Sequence, residues 1–174
     1  MSHLLADIDP CIRDSINELK SNSMKTRIMR ELVMLLEDDF LQILSLTYDD
    51  KGHPIVTVAD CNTDNIALYE FHLPNTNPFS APKVMVNSML YNDFLKIHSL
   101  TFINLLKKIT KMNCLCCNSF LCGENWTPVA RLGKIIVEIR MFRKYKRDIV
   151  NKFYADKIKA KYLIDDVNLD EWLF

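Results

Sequence analysis

Four of the chain's six cysteines fall within Cys114–Cys122, in the run Cys-Leu-Cys-Cys-Asn-Ser-Phe-Leu-Cys, and Trp126-Thr127-Pro128 follows shortly after. Thiols so concentrated fit two chemistries. A thiolate is a strong nucleophile for acyl transfer, and it is also a soft ligand that zinc binds in sets of four. The adjacent pair Cys116 and Cys117 suits one tetrahedral ion poorly, and the two separated Cys-x-x-Cys pairs typical of structural zinc sites are missing. Catalysis through one thiol is therefore the preferred expectation. Zinc drawn from Cys114, Cys116, Cys117 and Cys122 is the alternative, with Cys114, Cys116 or Cys117, and Cys122 as three ligands and His98 as a fourth, and ordinary buried or surface thiols are the third reading. His3, His53, His72 and His98 otherwise read as surface or hydrogen-bonded histidines.

The rest of the composition narrows the function classes. A chain of 174 residues with 49% hydrophobic content is long enough to bury a core as one domain without covalent staples. Its cysteines are unevenly spaced, and the start Met-Ser-His-Leu-Leu-Ala-Asp does not read as a signal peptide. Reduced thiols in cytosol or nucleus are expected. No apolar run approaches the roughly 18 to 20 residues of a membrane span, so no membrane function is expected. The 22 basic residues offset the 22 acidic ones, which disfavours general nucleic-acid binding. The segment from Arg140 to Lys161 is locally basic and reads as the solvated face of helices. With Gly52, Gly123 and Gly133 the only glycines, no phosphate-cradling loop is present.

The elements that must hold the cysteines follow from periodicity. Residues 1–22 read as an N-terminal extension, helical through Ile8, Ile12, Ile16 and Leu19. Ser23 is placed to cap a second helix whose stripe is Met24, Ile28, Leu32, Leu35 and Leu36, with Lys25, Arg27 and Arg30 off the stripe. Strands are predicted at Leu41–Tyr48, Ile55–Val58, Ile66–Phe71 and Val84–Val86, joined in hairpin order as an antiparallel meander. Helices are then predicted over Phe94–Lys111, from Pro128 with Leu132, Ile135, Ile136 and Ile139 inward, and over about 148–163. The fold class is α+β: an N-terminal helix, a four-stranded antiparallel meander, and C-terminal helices. Residues 146–174 are expected to be a closing helix and an apolar tail, Leu169 to Phe174, packed on the core.

Local motifs then give a resemblance. Met24-Lys25-Thr26-Arg27-Ile28-Met29-Arg30-Glu31-Leu32 resembles the first helix of the ubiquitin-conjugating enzymes, and the run from Leu73 to Val84 resembles their proline-rich corner. In that corner Asn77 stands where the family usually has tyrosine, and Ala81 replaces the first of two adjacent prolines. Residues 23–145 would form the conjugating-type core, with the Phe94–Lys111 helix as an insertion before the cysteine segment. The resemblance implies a cysteine that accepts ubiquitin or a related modifier as a thioester and passes it to a lysine or a ligase. Cys117-Asn118-Ser119-Phe120-Leu121 fits the family's active-site spacing best, and Cys114-Leu115 is the alternative. The family's His-Pro-Asn segment is absent, since Ser99 and Leu100 follow His98. An oxyanion donor is worth on the order of 3 kcal/mol of barrier, and Asn113, Asn118 and Asn125 are the candidate replacements.

By the same resemblance, Phe79 and the turn at Thr127 and Pro128 would meet a ubiquitin ligase, while Lys25, Arg27 and Arg30 would meet the activating enzyme and ligases. No cofactor is implied, because the activating enzyme spends the ATP. Trp126 is expected to anchor the loop beneath the active site. The inserted helix and clustered cysteines are similar to conjugating-enzyme-like proteins carried by large DNA viruses, which would place the chain in a host cell's cytoplasm or nucleus. The alternatives are an inactive relative that only binds ubiquitin or a ligase, and a relative in fold alone whose basic final helices meet an acidic partner.

Overall fold

The computed structural model describes residues 23–62, 66–74, 77 and 79–162, with side chains from 26 to 161 of that set. The helix expected at 7–20, the apolar tail, the Lys25 side chain, and Asn75, Thr76 and Pro78 of the corner lie outside the described residues.

The architecture is α+β. In chain order the elements are α1 (Ser23–Leu35), β1 (Leu41–Tyr48), β2 (Pro54–Asp60), β3 (Ala67–His72), β4 (Lys83–Val86), β5 (Met89–Leu90), α2 (Tyr91–Phe94), α3 (Leu100–Thr110), a 3-10 turn (Cys116–Asn118) and α4 (Leu132–Tyr162). The five strands form one sheet in sequential order, and every neighbouring pair is antiparallel. The meander is thus as predicted, with one strand more.

Two units emerge from the packing. Among the described residues, the first takes 23–94 together with Phe120–Ile136, and the second takes Leu95–Ser119 together with 137–162. In the first, Ile28, Leu32 and Leu35 of α1 are buried, as are Val56, Val58, Tyr69, Phe71, Val84 and Val86 of the strands. Alternation along each strand produces this inward face. In β1 the alternation slips: Leu41 and Ile43 are buried, then Leu46, because a bulge between Ile43 and Ser45 shifts the register. An acidic run, Glu37-Asp38-Asp39, follows α1. It lies beyond Leu35, and the Asp38 carboxylate accepts the Phe40 N–H at 3.0 Å.

Two turns fix the hairpins. Between β1 and β2, Asp49 accepts N–H bonds from Lys51 at 2.9 Å and His53 at 2.7 Å, and Gly52 takes φ +76°, a conformation in which a side chain would be strained. Between β4 and β5, Asn87 and Ser88 have φ of 48° and 64°, as a type I′ turn requires. The Asn87 side-chain oxygen also accepts the Leu68 N–H at 2.8 Å, which ties the turn to β3.

The helices depart from expectation twice. The helix predicted over Phe94–Lys111 is shorter, because α2 ends at Phe94 and α3 begins only at Leu100, after an extended Ser99. The two helices predicted after Pro128 are one, α4. Past Gly133 its interior has neither glycine nor proline, so nothing interrupts the hydrogen-bond ladder. The basic stretch within α4 is only partly a solvated face: burial lowers the pKa of Lys146, and Arg143 holds a buried nitrogen with no hydrogen-bond partner. In the second unit, Leu106, Leu115, Phe142, Ile149 and Ala155 are buried, and the rings of Phe102 and Phe153 meet edge to face at 5.3 Å.

Candidate functional site: the three-cysteine turn

Burial at two points makes the turn. Leu115 and Ser119 are buried, while Cys116, Cys117 and Asn118 between them are exposed. Ser119 donates its hydroxyl hydrogen bond to the Glu138 carboxylate on α4 at 2.8 Å, which satisfies two buried polar groups at once. With both ends held inward, the three intervening residues close as a 3-10 turn. Asn118 N–H donates to the Leu115 carbonyl at 3.1 Å and Ser119 N–H to the Cys116 carbonyl at 3.3 Å. The Asn118 amide also donates to the Cys114 carbonyl at 2.7 Å, tying the turn to the residue before it.

This closure gathers thiols. The Sγ atoms of Cys114, Cys116 and Cys117 all lie within 4.8 Å of one another, and those of Cys116 and Cys117 are 3.9 Å apart. Cys114 Sγ accepts the Cys117 backbone N–H at 3.3 Å. The thiols are consequently not equivalent. Cys114 is held below the ordinary thiol range, chiefly by the hydrogen bond from the Cys117 thiol; burial opposes this, and the Cys117 N–H and Cys116 thiol add to it. Cys117 is pushed up to about 12, chiefly by its hydrogen bond with Cys114 and then by Cys116. The donors on Cys114 favour its thiolate, and a charge there disfavours a second one on Cys117.

Of the residues singled out by sequence, the turn joins Cys114, Cys116, Cys117 and Asn118. Cys122 belongs to the first unit, and His98 is exposed and not in the set. Among the described residues the metal-capable group stops at three ligands. Asn118 has part of its amide committed to Cys114, and Asn113 and Asn125 are exposed. Glu138, which holds the turn through Ser119, escaped the sequence reading, and Ser119 entered it only as part of the active-site spacing. A buried glutamate nineteen residues from its partner leaves no local pattern.

The residues proposed to meet partners all belong to the first unit. Arg27 is only half-exposed: its guanidinium donates to the Ala130 carbonyl at 3.2 Å and lies 4.0 Å from Glu31. The Glu31 carboxylate accepts the Leu132 N–H at 3.0 Å, at the start of α4, where N–H groups lack helical partners. These bonds join α1 to the segment 128–132 and leave a groove of about 540 Å³ between them, lined by Arg27, Arg30, Met34, Pro128 and Val129 among others. Arg30, Thr127 and Pro128 are exposed, and Phe79 and Val129 keep 78% and 76% of their surface in solvent. Trp126 is half-buried and shares the lining of a small cavity with Leu73 and Asn77 of the corner and with Ile28 of α1.

No helix among the described residues is long and apolar enough to cross a membrane. No family model, no curated protein and no solved structure matches the chain.

Proposed function

We propose that the chain is a divergent conjugating-type acyl carrier, in which a cysteine of the exposed turn accepts ubiquitin or a related modifier as a thioester and passes it to a lysine or a ligase. The observation that carries this reading is the solvent-facing turn in which one thiol, Cys114, is hydrogen-bonded in the sense that favours its anion. Such a thiolate attacks the carbonyl of the modifier's thioester on an activating enzyme, and that enzyme's thiolate leaves. A lysine amine then attacks the new thioester and loses a proton as the Cys114 thiolate departs.

The element order also supports it: a helix, a sequential antiparallel meander, the proline-rich corner, the cysteine segment and a closing helix. The grouping of Trp126 with the corner and α1 around one cavity agrees with its expected anchoring role. Spacing favours Cys117 as the nucleophile, and so does its greater exposure; hydrogen bonding favours Cys114. We adopt Cys114, because its Sγ already accepts the Cys117 backbone N–H at 3.3 Å, a bond that favours the thiolate.

A second reading, a binding module without transfer, draws on the open groove of about 540 Å³ between α1 and Pro128–Arg131 and the exposed Phe79. Charging separates the two. The full chain is incubated with activating enzyme, ATP and ubiquitin, and a reductant-sensitive adduct is expected that Cys114→Ser abolishes or converts to a reductant-resistant ester. An adduct that responds only to Cys117→Ser moves the nucleophile. The absence of any adduct with ubiquitin or its common relatives would favour the binding module.

A further inference from the structure

We propose that Cys114, Cys116 and Cys117 together form a three-thiolate site for Zn²⁺, with the fourth coordination position left open, and that the ion and an acyl group compete for Cys114 Sγ. The competition rests on the acyl-carrier reading, whereas the metal site stands without it.

Geometry carries the metal site. At a Zn–S length of about 2.3 Å, two thiolates on one tetrahedral ion stand roughly 3.8 Å apart. Cys116 and Cys117 are already at 3.9 Å. All three sulfurs lie within 4.8 Å, so rotation about the side chains of two exposed residues and a half-exposed one closes the set. The usual objection to adjacent cysteines is that an extended or helical backbone points their side chains apart. Here the 3-10 turn removes it, since Leu115 and Ser119 are buried on either side and the sulfurs converge outside.

The surroundings of the sulfurs suit a metal as well. The Cys117 N–H already points at Cys114 Sγ, and the Asn118 amide fixes the Cys114 carbonyl. Hydrogen bonds of this kind orient thiolate ligands and partly neutralise their charge. Zinc prefers four ligands in structural sites and keeps one position for an exchangeable group where only three protein ligands are present. Three sulfurs on an exposed turn therefore describe an open site. Binding converts three thiols to thiolates, releases three protons and leaves the cluster with one net negative charge. It forms three metal–sulfur bonds and involves no change of oxidation state. While the ion is bound, the Cys114 lone pair needed for attack on a thioester is engaged.

Cobalt provides the direct test, because Co²⁺ occupies zinc–thiolate sites and gives a strong near-ultraviolet thiolate charge-transfer band. Titration of the reduced full chain is expected to reach one Co²⁺ per chain, with the band lost on adding Zn²⁺. Each of Cys114→Ser, Cys116→Ser and Cys117→Ser is expected to weaken Co²⁺ binding by at least about 10-fold, with circular dichroism unchanged. Cys61→Ser and Cys122→Ser are expected to leave it intact. No thiolate band in the unsubstituted chain, or a band insensitive to the three but lost in Cys122→Ser, would overturn the site. Alkylation mapped by mass spectrometry checks the same point without substitution: Zn²⁺ should protect the three cysteines and leave Cys61 reactive, and equal labelling with and without Zn²⁺ would count against it. The competition is read in the charging reaction with and without Zn²⁺, reversed by a zinc-selective chelator. Adduct formation unaffected by bound Zn²⁺ overturns the competition. A chain that charges under neither condition defeats the acyl-carrier reading and the competition with it, while the cobalt band still decides the metal site.

Discussion

In the sheet unit, Asp60 and Tyr69 are both fully buried and bond between neighbouring strands at 2.8 Å; in the helical unit, Ser119 and Glu138 make a bond of the same length beneath the cysteine turn. The first bond sits at one end of a ladder whose register along β2 and β3 is fixed by six residue pairs. The second holds one end of a three-residue 3-10 turn. Equal local chemistry thus serves different ends. Around Asp60 the backbone already determines the geometry, so the polar pair contributes stability. Around Ser119 the turn's own hydrogen bonds and the burial of Leu115 act together with the pair, which ties the turn to α4 and so helps set where the thiols stand.

The largest effect that would break this contrast is a cavity in the sheet. Phe71→Ala, one residue before the end of β3 and fully buried, is expected to lower stability by about 3–5 kcal/mol, measured by denaturant unfolding. Next come the two polar pairs. Tyr69→Phe and Ser119→Ala should each lower stability by about 1–3 kcal/mol, because each leaves a buried carboxylate short of a donor. They should differ in one respect: only Ser119→Ala should change the alkylation rates of Cys116 and Cys117. Equal rates in the two variants would show that the turn does not depend on its anchor.

Cys114→Ser sharpens the comparison within the turn itself. Its stability should stay within about 0.5 kcal/mol of the unsubstituted chain, as for a surface substitution away from packing features. Cys117, at about 12 in the unsubstituted chain, should titrate lower, since its chief cause of elevation is gone. A pH series of iodoacetamide labelling reads this directly. In the unsubstituted chain Cys114 should label first as pH rises; in the variant Cys117 should label at lower pH than before.

The smallest effect belongs to the β1–β2 turn. The Asp49 pKa is lowered, first by the His53 backbone N–H and further by the His53 side chain and the Lys51 N–H, while burial opposes the shift. Its folded value lies below its unfolded one. The contribution is therefore present above the ordinary carboxylate range and lost as pH falls through the lowered value. Asp49→Asn should flatten this acid-side dependence in urea unfolding followed from neutral to acid pH, with its stability loss present at neutral pH and vanishing in acid.

Much of the sheet was legible because alternation reports burial directly. β1 to β4 follow the apolar pattern, and hairpin order fixes their sequence. β5 was not legible: its turn uses Asn87-Ser88 rather than a dipeptide with glycine, and Asn87 gains its tolerance of positive φ partly from a bond to Leu68 on another strand. The break before α3 had a signal in Ser99, a residue suited to an N-cap, which the apolar spacing from Phe94 onward overrode. The continuity of α4 was obscured by its basic run, although those lysines and arginines are good helix formers.

For the candidate site, the sequence by itself determined that thiols are concentrated at 114–122. It also determined a meander with helices on either side in the chain, because periodicity and turn residues act locally. Only the tertiary structure decided that Cys114, Cys116 and Cys117 converge while Cys122 belongs with the sheet unit, and that hydrogen bonds hold Cys114 below the ordinary thiol range. Short cysteine spacings are compatible with many loop conformations. The conformation adopted here is selected by the burial of Leu115 and by the bond from Ser119 to Glu138, a partner nineteen residues away that no local pattern reveals.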